Sequence, residues 1–174
     1  MKPHEPLPVK LICGILFSDE EVYGLALQRL AALYGQVDYK SPVYPFVVTD
    51  YYVPEMGSPI QRQFISFKAL IHPGRLAQIK ITCNDLEEDL AVAGLRKVNL
   101  DPGYLDYDKL VLASAKYNSH KIYLDLGIYA DLTLRFEHGH CVAAPYAFPD
   151  FKTGEYEEAF LHIRARYKGQ MRRR

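Results

Sequence analysis

The sequence predicts an α+β domain: an antiparallel β-meander in the C-terminal half, joined by N-terminal strands, with about three amphipathic helices packed on the sheet. Three observations carry this expectation. Residues 119–137 (SHKIYLDLGIYADLTLRFE) alternate apolar and polar side chains on either side of a glycine, as a half-buried hairpin does. Val9–Phe17 is almost continuously apolar, as expected of a strand covered on both faces. Helix start signals stand at Ser18 and Pro73, and an apolar stripe follows Thr153.

Residues 1–7 contain prolines and are expected to be loose. The apolar run from Val9 then reads as a central strand. Ser18 is expected to cap a helix from Asp19 to about Tyr34, with Glu21 completing a capping box, Phe17 placed to staple against Val22, and Gly35 ending it. Asp19, Glu20 and Glu21 occupy the positive end of that helix, which disfavours a phosphate there. Prolines bound residues 41–56, and a strand is expected over 46–52 with Asp50 on the face of Phe46, Val48 and Tyr52. Residues 62–67 read as a short strand. From Pro73, Leu76, Ile79, Cys83, Leu86 and Leu90 recur at helical spacing and favour a helix to about Val92. The β-branched Ile79, Ile81 and Thr82 keep a strand-then-helix alternative open. Residues 98–100 are expected to run as a strand into a type II turn at Asp101-Pro102-Gly103. Residues 109–116 read as a strand in preference to a helix capped by Asp106. Continued through a Tyr117-Asn118 turn, this strand puts Val111, Ala113 and Ala115 on the apolar face of the hairpin.

Within the hairpin, a two-residue loop at Leu126-Gly127 sets Ile122 opposite Asp131 and inverts one arm. A three-residue loop, 125–127, with Gly127 left-handed, pairs Leu124 with Ile128, Ile122 with Ala130 and His120 with Leu132. The same register sets Lys121 against Asp131, Tyr123 against Tyr129 and Ser119 against Thr133. A His138-Gly139 turn then places Cys141 opposite Phe136 and Ala143 opposite Leu134, with Pro145 ending the ladder. A final helix beginning near Thr153 carries Tyr156, Phe160, Ile163 and Tyr167 on one stripe, and residues 168–174 are expected to fray.

The length of 174 residues suits one domain over 1–174. Lys plus Arg and Asp plus Glu both number 21, so no general attraction to nucleic acid or to a membrane surface is expected. The three cysteines, far apart in apolar contexts, read as buried free thiols rather than as a disulfide or zinc framework. The first ten residues lack the apolar core of a signal peptide and no apolar run approaches a membrane span, so a cytoplasmic protein is expected. Fourteen tyrosines and no tryptophan suggest amphipathic side chains at a core edge or cleft.

Two residues fit their surroundings poorly. His120 falls among aliphatic neighbours and Asp50 on an apolar strand face. His120 is a general-base candidate because its titration falls near neutral pH, and Asp50 would orient it if the two meet. The plainer readings are a hydrogen-bonded core-edge histidine and a solvated strand-end aspartate. Asp101 at a Pro-Gly turn more often accepts backbone hydrogen bonds than it takes part in catalysis, but with Tyr52 and Lys116 it forms the ligand-binding candidate set. The H-x-H-C string at His138, His140 and Cys141 does not suit a metal, because His138 is in a turn and His140 and Cys141 point to opposite faces. The basic end, with Arg164, Arg166, Lys168 and Arg172 to Arg174, reads first as a solvated helix face complementing its own dipole.

The segments PVKLICGILFSDEE, SPVYPFVVTDYYVPEMG, VNLDPGYLDYDKLVLASAKYNSHKIYLDLGIYADLTLRF and PYAFPDFKTGEY resemble the bacterial and archaeal proteins grouped as DUF4416. The resemblance covers nearly the whole chain, and Asp101-Pro102-Gly103 matches the family's DPG motif. It implies no particular activity or cofactor. Some similar proteins carry a GTP-binding label, but the chain has no G-x-x-x-x-G-K-[ST] and no G-x-G-x-x-G. Three readings follow. The first is a cytosolic protein binding a small polar, phosphorylated or nucleotide ligand where Asp50, Tyr52, Asp101, Lys116 and His120 converge. The second is a hydrolase or transferase with His120 as general base, Asp50 orienting it and Lys116 holding an anion. The third is a partner-binding module or homo-oligomer using its tyrosine-rich surface.

Overall fold

In the computed structural model, which describes residues 1–173, every residue of β1 (Val9–Phe17) is buried. The alternation of a strand explains why. Val9, Leu11, Cys13, Ile15 and Phe17 pack under α1 (Glu20–Tyr34) and α3 (Leu76–Asp89), while Ile12 packs on the opposite side with α4 (Glu157–Met171). Helices thus cover the sheet on both faces, and neither face of β1 tolerates an unpartnered polar residue. Lys10 is fully buried, but its ammonium bonds Asp38 and, at 2.8 Å, Gln170.

Among the described residues nine antiparallel strands make one sheet. From the N-terminal half come β2 (Val37–Lys40), β3 (Tyr44–Pro45) and β4 (Gln61–Ile71), and from the C-terminal half β5 (Val98–Leu105), β6 (Lys109–Ser114), β7 (Ile122–Asp125), β8 (Ile128–Glu137) and β9 (His140–Ala143). Their order is β2-β4-β1-β5-β6-β8-β7, with β3 also on β4 and β9 also on β8. The α+β class and the joining of N-terminal strands to an antiparallel C-terminal sheet are as the sequence predicts. Among the described residues no helix is long and apolar enough to cross a membrane.

Several local expectations are corrected. Asp19, not Ser18, caps α1, its carboxylate accepting from the Glu21 and Val22 N–H groups at 3.0 Å. Ser18 follows the end of β1, its N–H donating to the Lys97 carbonyl and its hydroxyl to the Met56 carbonyl. Residues 46–52 form no strand. After Pro45 the Thr49 hydroxyl accepts the Tyr51 N–H, the Asp50 carbonyl accepts the Val53 N–H, and the short helix α2 (Val53–Met56) follows. A 3-10 turn, Pro73–Arg75, leads into α3, so the strand alternative there is excluded.

Asp101-Pro102-Gly103 is not a turn but the middle of β5, paired with Gly14, Cys13 and Ile12 of β1. The β5–β6 pairing begins only at Gly103, so Pro102 sits where β5 has one strand neighbour, a place that tolerates a missing N–H. Next, β6 pairs with β8 rather than with β7, so the Tyr117-Asn118 turn is replaced by a longer crossing. The ten-residue β8 has two edges: β6 takes one, and β7 and β9 share the other. The expected pairs Ile122–Ala130 and Tyr123–Tyr129 are present, but the loop is the two-residue Leu126-Gly127, both at positive φ, and the extra residue is absorbed as a bulge at Leu124. His120 lies in the crossing before β7 and pairs with no strand residue. The His138-Gly139 register is as expected, with Cys141 opposite Phe136 and Ala143 opposite Leu134.

The stripe Tyr156, Phe160, Ile163 and Tyr167 is buried as expected, although α4 starts at Glu157. Residues 168–171 are not frayed: they continue the helix, and Gln170 bonds both Lys10 and the Lys68 carbonyl. Arg174 lies outside the described residues. Residues 1–7 are exposed and belong to no element. Cys13 and Cys83 are buried free thiols, and Cys141 is half-buried.

Candidate functional site

A fork in the sheet opens a cleft. β5 and β6 pair only where Gly103, Tyr104 and Leu105 meet Leu112, Val111 and Leu110; before Gly103 and beyond Leu112 the two part, β5 keeping only β1 beside it and β6 only β8. A side chain at Gly103 would place its Cβ 2.5 Å from the Val111 carbonyl oxygen and 2.7 Å from Leu112 Cδ2, so the strands can meet there only across a glycine. Asp101 comes two residues earlier, just inside the opening. With α3 and the α2 segment closing the sides, the fork leaves a cleft of 830 Å³.

Its floor is an ion network. Lys80 and Glu87, both on α3, are nearly fully buried. The Lys80 ammonium donates to the Leu100 carbonyl at 2.6 Å and lies 3.7 Å from Asp101 and 3.8 Å from Glu87. Burial works to lower the Lys80 pKa, but Asp101 and Glu87 together outweigh it, and the result is above the ordinary lysine value. Glu87 accepts from the Leu100 N–H at 2.6 Å and from Arg96 at 2.5 Å; burial raises its pKa against these donors. Arg96 forks onto both Glu55 oxygens at 2.6 and 2.7 Å, which holds Glu55 below the usual carboxylate range. Asn99 joins Arg96 to Asp101, at 3.2 and 3.0 Å. Behind the floor Arg62 of β4 is buried against the rings of Phe46, Phe64, Phe151 and Tyr156, bonds Asp150, and lies 4.0 Å from Asp101.

The wall is aromatic. Tyr51, Tyr52 and Phe148 line it, together with Lys116 at the end of the β6 segment. Lys116 donates to the Tyr51 hydroxyl at 2.8 Å and sits 4.3 Å over its ring, and among the described residues it has no carboxylate partner. That ammonium lowers the Tyr51 pKa, whereas burial, with Asp101 nearby, pushes Tyr52 up to about 12. The Tyr52 phenol makes no hydrogen bond within the chain's described residues. The cleft therefore presents an unpaired cation, a neutral donor and the partly exposed carboxylate of Asp101.

Of the residues singled out in the sequence, Tyr52, Asp101 and Lys116 come together here from three separate segments. Asp50 and His120 do not join them. Asp50 is exposed at a separate hollow beside Phe46 and Ser58. His120 stacks on Tyr146 with centroids 4.0 Å apart, and its Nε2 lies 3.7 Å from Asp131. No hydrogen bond or ion pair joins His120 to Asp50, so the pair needed for proton transfer between them is not assembled. The expected Lys121–Asp131 pair is present at 3.4 Å. His140 pairs with Glu157 at 3.2 Å, and no group of three metal-ligating side chains occurs among the described residues.

Lys80, Glu87 and Arg96 escaped the sequence reading. A signal was there for the first two: Leu76, Lys80, Cys83 and Glu87 fall on one helical stripe, which puts two opposite charges on the buried face. Arg96 lies in a connecting segment and has no such signal. A second groove, of 520 Å³, lies at the C-terminal end of α4 between Lys68, Arg166 and Arg173.

The family model described as Domain of unknown function (DUF4416) matches residues 7–167. No curated protein and no solved structure matches the chain.

Proposed function

The chain belongs to the DUF4416 family, and we propose that it is a cytosolic protein that binds a small polar ligand with an anionic group in the cleft beside Asp101. One observation carries the reading. Three groups of complementary character converge from distant segments on the cleft: Lys116, Tyr52, and Asp101, which is the partly exposed member of an otherwise paired network of Lys80, Glu87, Arg96 and Glu55. A volume of 830 Å³ falls within the roughly 300–1,000 Å³ of small-molecule sites. Lys116 would meet a phosphate or carboxylate, Asp101 and Tyr52 would hydrogen-bond hydroxyls or an amine, and the Tyr51 and Tyr52 rings would cover the ligand's flat or apolar face. The buried network under Asp101 fixes its carboxylate in place before the ligand arrives, which lowers the ordering cost of binding.

The test is a thermal-shift titration with inorganic phosphate, GTP, ATP, sugar phosphates and small carboxylates. A true ligand at 100 times its dissociation constant stabilises the fold by about 2.7 kcal/mol. Lys116→Ala, at an exposed position, is expected to leave the ligand-free melting temperature unchanged and to weaken binding by roughly tenfold or more. A flat response across these classes, or a shift that Lys116→Ala and Asp101→Asn leave untouched, removes the cleft as the site.

A further inference from the structure

In the basic C-terminal end, Arg166, Gly169, Gln170 and Arg173 fall at helical spacing and share one face. The first three belong to α4, and the turn after it, closed by the Arg173 N–H on the Gln170 carbonyl at 3.2 Å, keeps Arg173 in line. Across a groove of 520 Å³ stands Lys68, on β4. Gln170 ties the two walls together: its Nε2 donates to the Lys68 carbonyl at 2.6 Å, and its Oε1 accepts from Lys10 at 2.8 Å.

Three cations thus line one hollow. Lys68, Arg166 and Arg173 are exposed and have no carboxylate partner among the described residues; Arg166 stands 5.9 Å from the centre of the Tyr39 ring. The acid on the wall, Asp38, is already held by the buried Lys10 ammonium and by the Ser66 hydroxyl at 2.7 Å. Arg166 even opposes Lys10. Burial lowers the Lys10 pKa against the pull of Asp38, and the Arg166 charge adds to the lowering. The negative end of the α4 dipole amounts to roughly half a charge, far short of what three cations call for. Gly169 is an independent observation. A glycine inside a helix is unfavourable, and a Cβ built at this one meets nothing within 4 Å, so no neighbour requires it. Its missing side chain leaves the hollow open between the two arginines.

We propose that this groove binds the diphosphate group of a small soluble molecule, at a site separate from the cleft beside Asp101. One phosphate carries a charge of about −1.5 to −2, which three cations exceed, whereas two linked phosphates match them. Each arginine would fork onto one phosphate, with Lys68 as a point charge on the opposite wall. The volume lies within the roughly 300–1,000 Å³ of small-molecule sites. A nucleic-acid strand fits less well, because the chain as a whole is neutral and no aromatic ring among the described residues lines the groove for a base to stack on.

Calorimetric titration with inorganic diphosphate at fixed ionic strength, beside inorganic phosphate and sulfate, reads the outcome. Saturable binding of diphosphate is expected, at least about tenfold tighter than that of phosphate. Gly169→Leu fills the hollow with a residue that favours the helix, and is expected to abolish the binding without lowering the melting temperature. Lys68→Gln combined with Arg166→Gln, both at exposed positions, should weaken it at least about tenfold. No saturable binding of diphosphate, or equal uptake of phosphate, sulfate and diphosphate, overturns the proposal. Diphosphate binding that survives Gly169→Leu but is lost in Lys116→Ala belongs to the cleft and overturns it equally. A single-stranded RNA that binds this face where diphosphate does not makes it a nucleic-acid surface, which is a third way for the proposal to fail.

Discussion

A single methyl group decides whether the fork in the sheet can form. At Gly103 a Cβ would fall 2.5 Å from a backbone carbonyl that has no freedom to move aside. Gly103→Ala is therefore expected to destabilise the fold by about 1–3 kcal/mol, as overpacking does, and to separate β5 from β6 beside Asp101. Urea unfolding checks this: the midpoint should fall while the slope stays unchanged. Arg62 holds the next critical position. It is the buried counter-ion of Asp150, whose carboxyl burial raises above its ordinary pKa and whose Oδ1 has no hydrogen-bond partner among the described residues. Arg62→Met keeps most of the packing but strands that carboxylate, an expected loss of about 3–5 kcal/mol. Adding Asp150→Asn should restore much of it, because the uncompensated charge is then gone. Equal unfolding midpoints for the single and double variants would show that Arg62 acts through its packing against the four rings instead.

Among elements, alternation of side chains was readable and neighbour identity was not. The β8–β9 register followed from the sequence because His138-Gly139 is a two-residue loop with both φ values positive and no bulge beside it. The β7–β8 loop has the same form, yet reading the alternation gave three residues. A bulge at Leu124 and one more loop residue shift the parity of a strand by the same single step, so the pattern of faces cannot separate them. The DPG segment misled for a related reason. Pro-Gly reads as a turn unless it is known where the neighbouring strand begins, and the β5–β6 pairing begins at that glycine. The order β6-β8-β7 was equally hidden, since each strand shows which face is apolar but not which strand lies beside it. The β7–β8 loop also carries a cost that can be measured. Leu126 sits at φ 54, where a leucine is strained by roughly 1–2 kcal/mol and asparagine by less. Leu126→Asn makes the favoured Asn-Gly pair and is expected to stabilise the protein by about 1 kcal/mol in urea unfolding. No gain would mean that the exposed leucine side chain recovers the backbone cost by packing.

At the scale of the molecule, the cleft's exposed side chains could be named from the sequence because tyrosines, a lysine and a Pro-Gly aspartate stand out locally. Its floor could not, because Lys80, Glu87 and Arg96 acquire their meaning only when α3 lies against β5. The burial that makes this floor also governs how the whole fold responds to alkali. Burial pushes Tyr34 and Tyr52 up to about 12 from an ordinary 10.0, and Cys141 up to about 12 from 9.0. Burial raises Tyr156 and Cys13 as well, and partner carboxylates raise Lys80. In each case the folded chain holds its proton longer than the unfolded chain. The stability these groups contribute is complete below the unfolded values and falls as pH rises toward the folded ones. Lys10, lowered by burial, and the exposed Tyr51, lowered by Lys116, run the other way and are outnumbered. The melting temperature is accordingly expected to change little up to pH 9.0 and then to fall continuously toward pH 12. Phenolate absorbance should show the buried tyrosines ionising together with unfolding rather than before it. Tyr52→Phe removes one of the linked protons and is expected to make the decline between pH 10.0 and about 12 shallower. An unchanged slope in that variant would mean that the Tyr52 phenol is solvated in the open cleft and ionises without opposing the fold.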